Sequence, residues 1–199
     1  PANDECAGAI TLNCGDTLTG QTTETATGGT ATSCVGTIGN DIWYTFVGDG
    51  QQISLTATAS VEFPQVEVYE STDGSCTGFT AGTCFASAGT GAATAAVVFN
   101  STLGTVYYIH VGNYINGSPG VVFDLAITCA APPTPPANDD CANAEALTLE
   151  TEATGSTAAA STTVLGITPA CQVNRVNDVW YTAVVPTSGA LTVTTAAAP

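Results

Sequence analysis

The chain starts twice. Pro1-Ala-Asn-Asp-Glu-Cys6 returns as Pro136-Ala-Asn-Asp-Asp-Cys141, and Asn40-Asp-Ile-Trp-Tyr-Thr45 returns as Asn177-Asp-Val-Trp-Tyr-Thr182. A chain that repeats its opening and one of its strands folds as copies of a single unit. On these anchors Gln52 to Thr58 falls opposite Ala190 to Ala196, so the second copy reaches about half the extent of the first. The expected division is a complete module over residues 1–130, the proline-rich connector Ala131-Pro-Pro-Thr-Pro-Pro136, and the first half of a second module over 137–199. Such a connector is stiff and extended.

Lys is absent, Arg175 is the sole Arg, and 17 acidic residues give a formal net charge of −16 with only 9% of residues charged. Phosphate recognition relies on Lys and Arg, so nucleic acid is not expected as a partner, and the charge argues against docking on anionic membranes. No apolar stretch reaches spanning length, so no membrane insertion is expected. Eight Cys without a single Met read as a mature secreted chain, its signal peptide removed, located outside the cell or on its surface.

The repeat suggests a disulfide connectivity. The second copy holds only Cys141 and Cys171, which are expected to pair, and by alignment Cys6 then pairs with Cys34. Cys76 and Cys84 bracket a short loop and suit a local bridge, which leaves Cys14 for Cys129. That last bridge closes the longest loop and contributes nearly 5 kcal/mol on a chain-entropy estimate. Metal binding by these cysteines is the weaker reading, because there is no CxxC pair and His110 is the only His.

Period-two patterns bounded by Gly, Asn, Asp and Pro recur, and helical periodicity is nearly absent. The expected fold is all-β: a disulfide-stapled antiparallel β-sandwich of jelly-roll type. Clear strands are Asp41 to Val47, Gln52 to Ala59, Gln65 to Glu70, Ala95 to Asn100, Val106 to Gly112 and Val121 to Cys129, with weaker ones near Ala9 to Leu12, Thr17 to Thr23 and Thr80 to Ser87. Alternation points Phe123, Leu125 and Ile127 inward. It does the same for Tyr107, Ile109 and Val111, and turns Tyr108 and His110 outward.

The opening Pro-Ala-Asn-Asp-x-Cys-x-x-Ala, the strand Asn-Asp-(Ile/Val)-Trp-Tyr-Thr, and Gly104-Thr-Val-Tyr-Tyr-Ile-His-Val111 followed by Gly120-Val-Val-Phe-Asp-Leu125 resemble the pre-peptidase C-terminal type of β-sandwich repeat found in large secreted bacterial proteins. The resemblance implies a non-catalytic, calcium-tolerant jelly roll exported by a dedicated secretion system. Such modules accompany proteases, adhesins and surface polymers alike, so it says more about fold than about function.

Catalysis is not expected. His110 has no Ser or Cys nucleophile motif near it and reads as a surface histidine, and neither G-x-S-x-G nor H-E-x-x-H occurs. The doublets Asn3-Asp4, Asn40-Asp41, Asn138-Asp139 and Asn177-Asp178 recur at matching places. If the Cys6–Cys34 bridge brings them together, they supply oxygen ligands for Ca²⁺, the one cofactor the sequence suggests and one that folding does not require. The plainer reading makes them Asx turns at strand starts. Trp43 and Trp180 offer either sugar-stacking faces or core, and their apolar strand favours core. Asn100-Ser-Thr102 and Asn116-Gly-Ser118 are glycosylation sequons, and Asp16-Thr17-Leu18 is similar to a bacterial O-glycosylation motif.

A half module leaves strand edges that need a partner. The leading expectation is therefore a structural subunit of an extracellular bacterial filament, polymerising head to tail with copies of itself. Leu191, Thr192, Val193, Thr194 and Thr195 would then exchange strands between subunits. The alternative is a non-catalytic carbohydrate- or protein-binding accessory repeat of a larger secreted enzyme or adhesin.

Overall fold

A computed structural model describes residues 1–27, 38–79, 84–89, 91–113, 119–161 and 177–196. The chain divides into two units, Pro1–Pro132 and Pro133–Pro199. Residues 131–135 of the connector are exposed and carry no regular structure.

Unit 1 is a two-sheet sandwich of nine strands among its described residues: β1 (Ile10–Thr11), β2 (Thr17–Thr22), β3 (Asp41–Val47), β4 (Gln52–Ala59), β5 (Pro64–Glu70), β6 (Ala86–Ala88), β7 (Thr94–Asn100), β8 (Val106–Asn113) and β9 (Val122–Ala130). One sheet runs β1-β3-β8-β5-β6 and the other β2-β9-β4-β7. All pairings are antiparallel except the short β1–β3 contact, which is parallel. Of the strand expected over Thr80 to Ser87, only β6 lies among the described residues; 80–83 fall outside them.

The alternation written in the strands builds the core. On β4, Ile53, Leu55 and Ala57 are 0% exposed, and opposite them on β9 Phe123, Leu125 and Ile127 are each 1% exposed. Ile42, Tyr44 and Phe46 of β3 and Tyr107, Ile109 and Val111 of β8 meet them from the other sheet. Burying each of the larger apolar side chains contributes about 1.5–3 kcal/mol.

The five-stranded sheet is covered on its second face as well. Trp43, Tyr69 and Tyr108 form a separate buried cluster there, packed with Phe79, Val106 and the sulfurs of Cys6 and Cys76. Tyr108 and His110 do face away from the main core, but they are buried at 7% and 0% exposure. The expectation of a surface histidine is therefore corrected. The polypeptide around Cys6 and the loop after β5 form a third layer that a two-sheet reading does not include.

Unit 2 restates the opening of unit 1 at the level of single hydrogen bonds. Strands β10 (Glu145–Ala146) and β11 (Tyr181–Thr182) pair in parallel, as β1 and β3 do. The Leu12 N–H donates to the Thr45 carbonyl at 2.8 Å, and the Leu147 N–H donates to the Thr182 carbonyl at 2.7 Å. Residues 191–196 are exposed and carry no regular strand.

Candidate functional site

The recurring Asn-Asp doublet is a clamp. Asn3 exchanges two bonds with one residue of β3: its Nδ2 donates to the Trp43 carbonyl at 3.0 Å and its own carbonyl accepts from the Trp43 N–H at 2.8 Å. Asn138 and Trp180 repeat both bonds at the same distances. Asp4 accepts from the N–H and Oγ1 of Thr27 at 2.8 and 2.9 Å, while Asp139 accepts from the N–H and Oγ of Ser161 at 2.7 and 2.9 Å. The motif thus ties the start of each module to its Trp-Tyr-Thr segment and to a residue some twenty positions on. An amide side chain that both gives and takes suits this role.

The second doublet serves other ends. Asn40 donates through Nδ2 to the Pro119 carbonyl at 3.3 Å. Asp41 is 1% exposed and meets His110. In unit 2, Asn177 is exposed with φ at 56°, and the Asp178 N–H donates to the Ser161 carbonyl at 3.2 Å. The carboxylates of Asp4, Asp139 and Asp41 each have protein partners. Among the described residues, Cys14, Asp49 and Cys129 bring three donor atoms together, but two of these are sulfurs of one disulfide.

The chemically richest place is the row Trp43, His110 and Glu67, which stand side by side across β3, β8 and β5. His110 Nε2 meets the Asp41 carboxylate, and Nδ1 faces Glu67 Oε2 at 3.4 Å. Glu67 also accepts from Tyr69 Oη at 2.6 Å and from Gln65 Nε2 at 3.0 Å. The Trp43 indole stacks on the imidazole with ring centroids 4.3 Å apart, and Phe79 stacks on Trp43 at 6.0 Å. Burial by itself disfavours the charged imidazole, but the hydrogen bonds and charges of Asp41 and Glu67 outweigh it and raise the pKa of His110 above its ordinary value. Asp41 and Glu67 thus engage both ring nitrogens and favour the charged form of the imidazole. A base needs a free nitrogen aimed at a substrate, and both nitrogens of His110 are committed to carboxylates. The arrangement fixes three strands of the sheet and lacks the geometry of an acid–base site.

The third layer is held over this row by the loop after β5. Asp73 accepts from the N–H and Oγ of Ser75 at 2.8 Å each and from Ser71 Oγ at 3.3 Å. Chiefly through the Ser75 N–H, its carboxyl is held below the ordinary range. A Cβ on Gly78 would lie 2.1 Å from Asp73 Oδ1 and 2.4 Å from Ser71 Oγ, so a larger residue here displaces the side chains that hold the turn. The turn presents Cys76 and Phe79 to the sheet.

The disulfides match expectation at Cys14–Cys129 and depart from it at Cys6 and Cys76. Cys6 bonds Cys76 across 70 residues, so neither the Cys6–Cys34 nor the Cys76–Cys84 bridge forms. Cys14 bonds Cys129 across 115 residues. Cys84 is also disulfide-bonded, and Cys34 and Cys171 lie outside the described residues. Cys141 is exposed and unbonded, and the expected Cys141–Cys171 bridge falls on a cysteine outside the described residues. The physical reason is common to these corrections: the bridge at the module's opening joins its first half to its second, so two cysteines sharing a half copy are not thereby partners.

Of the modification candidates, Asn100 is exposed at the end of β7, where its Oδ1 accepts from Gln52 Nε2 at 3.2 Å. Thr17 is exposed at the first residue of β2. Asn116 lies outside the described residues. The buried polar row escaped the sequence reading, although a signal was present. Gln65, Glu67 and Tyr69 alternate with Val66 and Val68, and a strand that puts Glu beside Tyr on its second face, next to one that puts Tyr beside His, announces a covering layer.

A search of curated proteins finds no match. A solved structure, the pre-peptidase C-terminal domain of a collagenase from Bacillus anthracis, is similar at 15% identity with a TM-score of 0.40, covering 60% of this chain and 94% of that one. The family model described as galactose binding domain-like, T9SS-associated, matches residues 2–124 and again 137–198. Its two matches begin beside the two Asn-Asp clamps and together span most of the chain, which therefore belongs to the T9SS-associated family of galactose-binding-domain-like modules.

Proposed function

We propose that the chain is a stretch of non-catalytic accessory repeats from a larger extracellular or surface protein, whose modules contact neutral glycans or neighbouring proteins. One observation carries this: the Asn-Asp clamp and its parallel strand pair are built twice, bond for bond, as befits interchangeable modules on proline-rich connectors. Two further features support it. The sole imidazole is consumed in a buried ion network. The outer face of the four-stranded sheet carries rows such as Thr128-Ser54-Val98 and Ala126-Thr56-Ala96, rich in hydroxyls and poor in charge.

Affinity electrophoresis of the intact chain through gels containing neutral or acidic polysaccharides tests the reading. Expected is retardation by a neutral polysaccharide, none by acidic ones given the net charge of −16, and no degradation of either. Cleavage of any polysaccharide contradicts it, and migration unchanged in every gel removes glycans and leaves neighbouring proteins as the partners.

A second reading, copies of the chain polymerising through Leu191 to Thr195, is favoured by the exposure of Leu191 at 38% and Val193 at 59%. Electron microscopy of the purified chain shows regular filaments if it holds and dispersed particles if it does not.

A further inference from the structure

Sheet edges invite pairing with another chain unless they are short, bulged or charged. Among the described residues, three of the four sheet edges of unit 1 carry such a protection. β1 has 2 residues and β6 has 3, and β2 shifts register against β9 between Leu18 and Gln21. β7 has none. It lies at the margin of its sheet with 7 residues, pairs β4 without a register shift from Thr94 to Asn100, and holds neither Pro nor a charged residue. No Asp, Glu, Lys or Arg stands between Asp73 and Asp124, in a chain with a net charge of −16. The hydrogen bonds at either end of the strand show which way its backbone points. The Ala59 N–H donates to the Ala93 carbonyl, and the Ser101 N–H donates to the Gln51 carbonyl, both at 2.8 Å. Bonded residues alternate in an antiparallel pair. Ala95, Val97 and Phe99 therefore bond β4, and the N–H and C=O groups of Thr94, Ala96, Val98 and Asn100 point off the edge. These four residues are exposed, Val98 at 58%. Phe85 stands at the same margin: its ring meets Phe99 edge-on at 5.6 Å, yet it is 44% exposed.

The geometry points to β7 as a self-association edge: two copies of the chain join β7 to β7, antiparallel about a two-fold axis, and fuse their four-stranded sheets into one that runs β2-β9-β4-β7-β7-β4-β9-β2. The occupant is a second copy because the edge is complementary to itself in charge and in register. Two copies of charge −16 repel over most of their surface, and an uncharged edge lets their main chains meet without setting like charges opposite each other. With the axis at Val97, Thr94 faces Asn100 of the second copy and Ala96 faces its Val98. Every outward N–H and C=O of the strand then finds a partner, whereas any other register leaves some of these four residues unpaired. The same register keeps Ala95, Val97 and Phe99 on the core side of the joined sheet. On the outer face it sets the small apolar pair Ala96 and Val98 between the polar pairs of Thr94 and Asn100. Phe85 gives the joined edge an exposed aromatic to bury. Main-chain hydrogen bonds supply the affinity, and an isologous contact of this kind closes at a dimer. The inference draws only on unit 1 and goes beyond the accessory-repeat reading, which names no edge.

The test is sedimentation velocity of the intact 199-residue chain across a concentration series, at low and at high salt. Expected is a monomer–dimer equilibrium that stops at the dimer and shifts toward it with salt, which screens the repulsion between like-charged copies. Val98→Glu and Val98→Pro change an exposed residue whose N–H faces away from β4. Each should weaken dimerisation by about tenfold or more, because the two-fold axis doubles the effect of every change. Thr19→Glu adds the same charge to the exposed, bulged edge β2 and should leave the equilibrium within about twofold of the wild type. Amide exchange of the unaltered chain gives a readout that depends on no variant: the N–H groups of Ala96 and Val98 become protected as concentration rises, and that of Thr19 does not. The proposal is overturned by a monomer at every concentration, by a dimer that neither Val98 variant weakens, by open-ended polymers in place of a dimer, or by exchange at Ala96 and Val98 that ignores concentration. Each of these outcomes leaves the accessory-repeat reading standing, since that reading is judged by polysaccharide binding.

Discussion

Replacing His110 by Gln tests the buried row most sharply. The His110 ring is 0% exposed and sits between Asp41 and Glu67, themselves 1% and 0% exposed, and its charged form is the one this setting favours. Gln removes the positive charge and leaves two carboxylates facing each other out of water. Breaking a buried ion pair by removing one partner costs about 3–5 kcal/mol, and the lost stacking on Trp43, 4.3 Å away, adds to that. The pH dependence gives a second, independent signature. The pKa of His110 is raised in the folded state, so the folded protein binds this proton more tightly than the unfolded chain does. The resulting stabilisation is fully present below about pH 6.5, the ordinary imidazole value, and is lost as pH rises through the folded value. It amounts to about 1.4 kcal/mol for each unit by which the two values differ. Urea unfolding followed by Trp43 fluorescence in a Trp180→Phe background, at half-unit steps from pH 5.5 upward, measures both effects. Expected is a loss of about 3–5 kcal/mol near pH 6 that shrinks as pH rises, with the wild-type decline absent from the variant. A loss under 1 kcal/mol near pH 6, or parallel pH profiles, refutes a charged His110.

Three other perturbations probe separate parts of the fold. Asn3→Ala deletes a buried donor to the Trp43 carbonyl and is expected to cost about 1–3 kcal/mol, measured in the same urea assay; a cost near zero removes the clamp from the account. Gly120 has φ at 121°, and a Cβ there would lie 2.5–2.6 Å from the backbone of Glu24, so Gly120→Ala should lower the melting temperature of unit 1 by several degrees; an unchanged melting temperature means that this approach is not close in solution. Because the doublet carboxylates are engaged by Thr27, Ser161 and His110, thermal unfolding in excess EDTA should match that in added Ca²⁺; a midpoint several degrees higher with Ca²⁺ restores the metal reading of Asn3, Asp4, Asn40 and Asp41.

The strands were legible because their alternation is a one-body property: Phe123, Leu125 and Ile127 declare a core face whatever lies opposite. The repeat was legible for the same reason, and it located the clamp positions correctly while leaving their chemistry open between Asx turn and calcium ligand. What escaped was relational. Nothing in the sequence says that the loop carrying Cys76 and Phe79 folds back over Trp43, and without that layer Tyr108 and His110 look like surface. The pairings expected for Cys6 and Cys76 failed at the same point, while the expected Cys14–Cys129 bridge forms. Equivalence between copies gives the partner only when both partners lie in the part that is copied, and Cys76 does not.

The most direct measurement is a disulfide map of the oxidised, unreduced chain by peptide mass spectrometry, focused on Cys6. The third layer and the burial of His110 both depend on where that sulfur goes. Expected is a Cys6–Cys76 cross-link. Cys6 bonded to Cys34, with Cys76 bonded to Cys84, would contradict the covered second face and, with it, the charged row beneath.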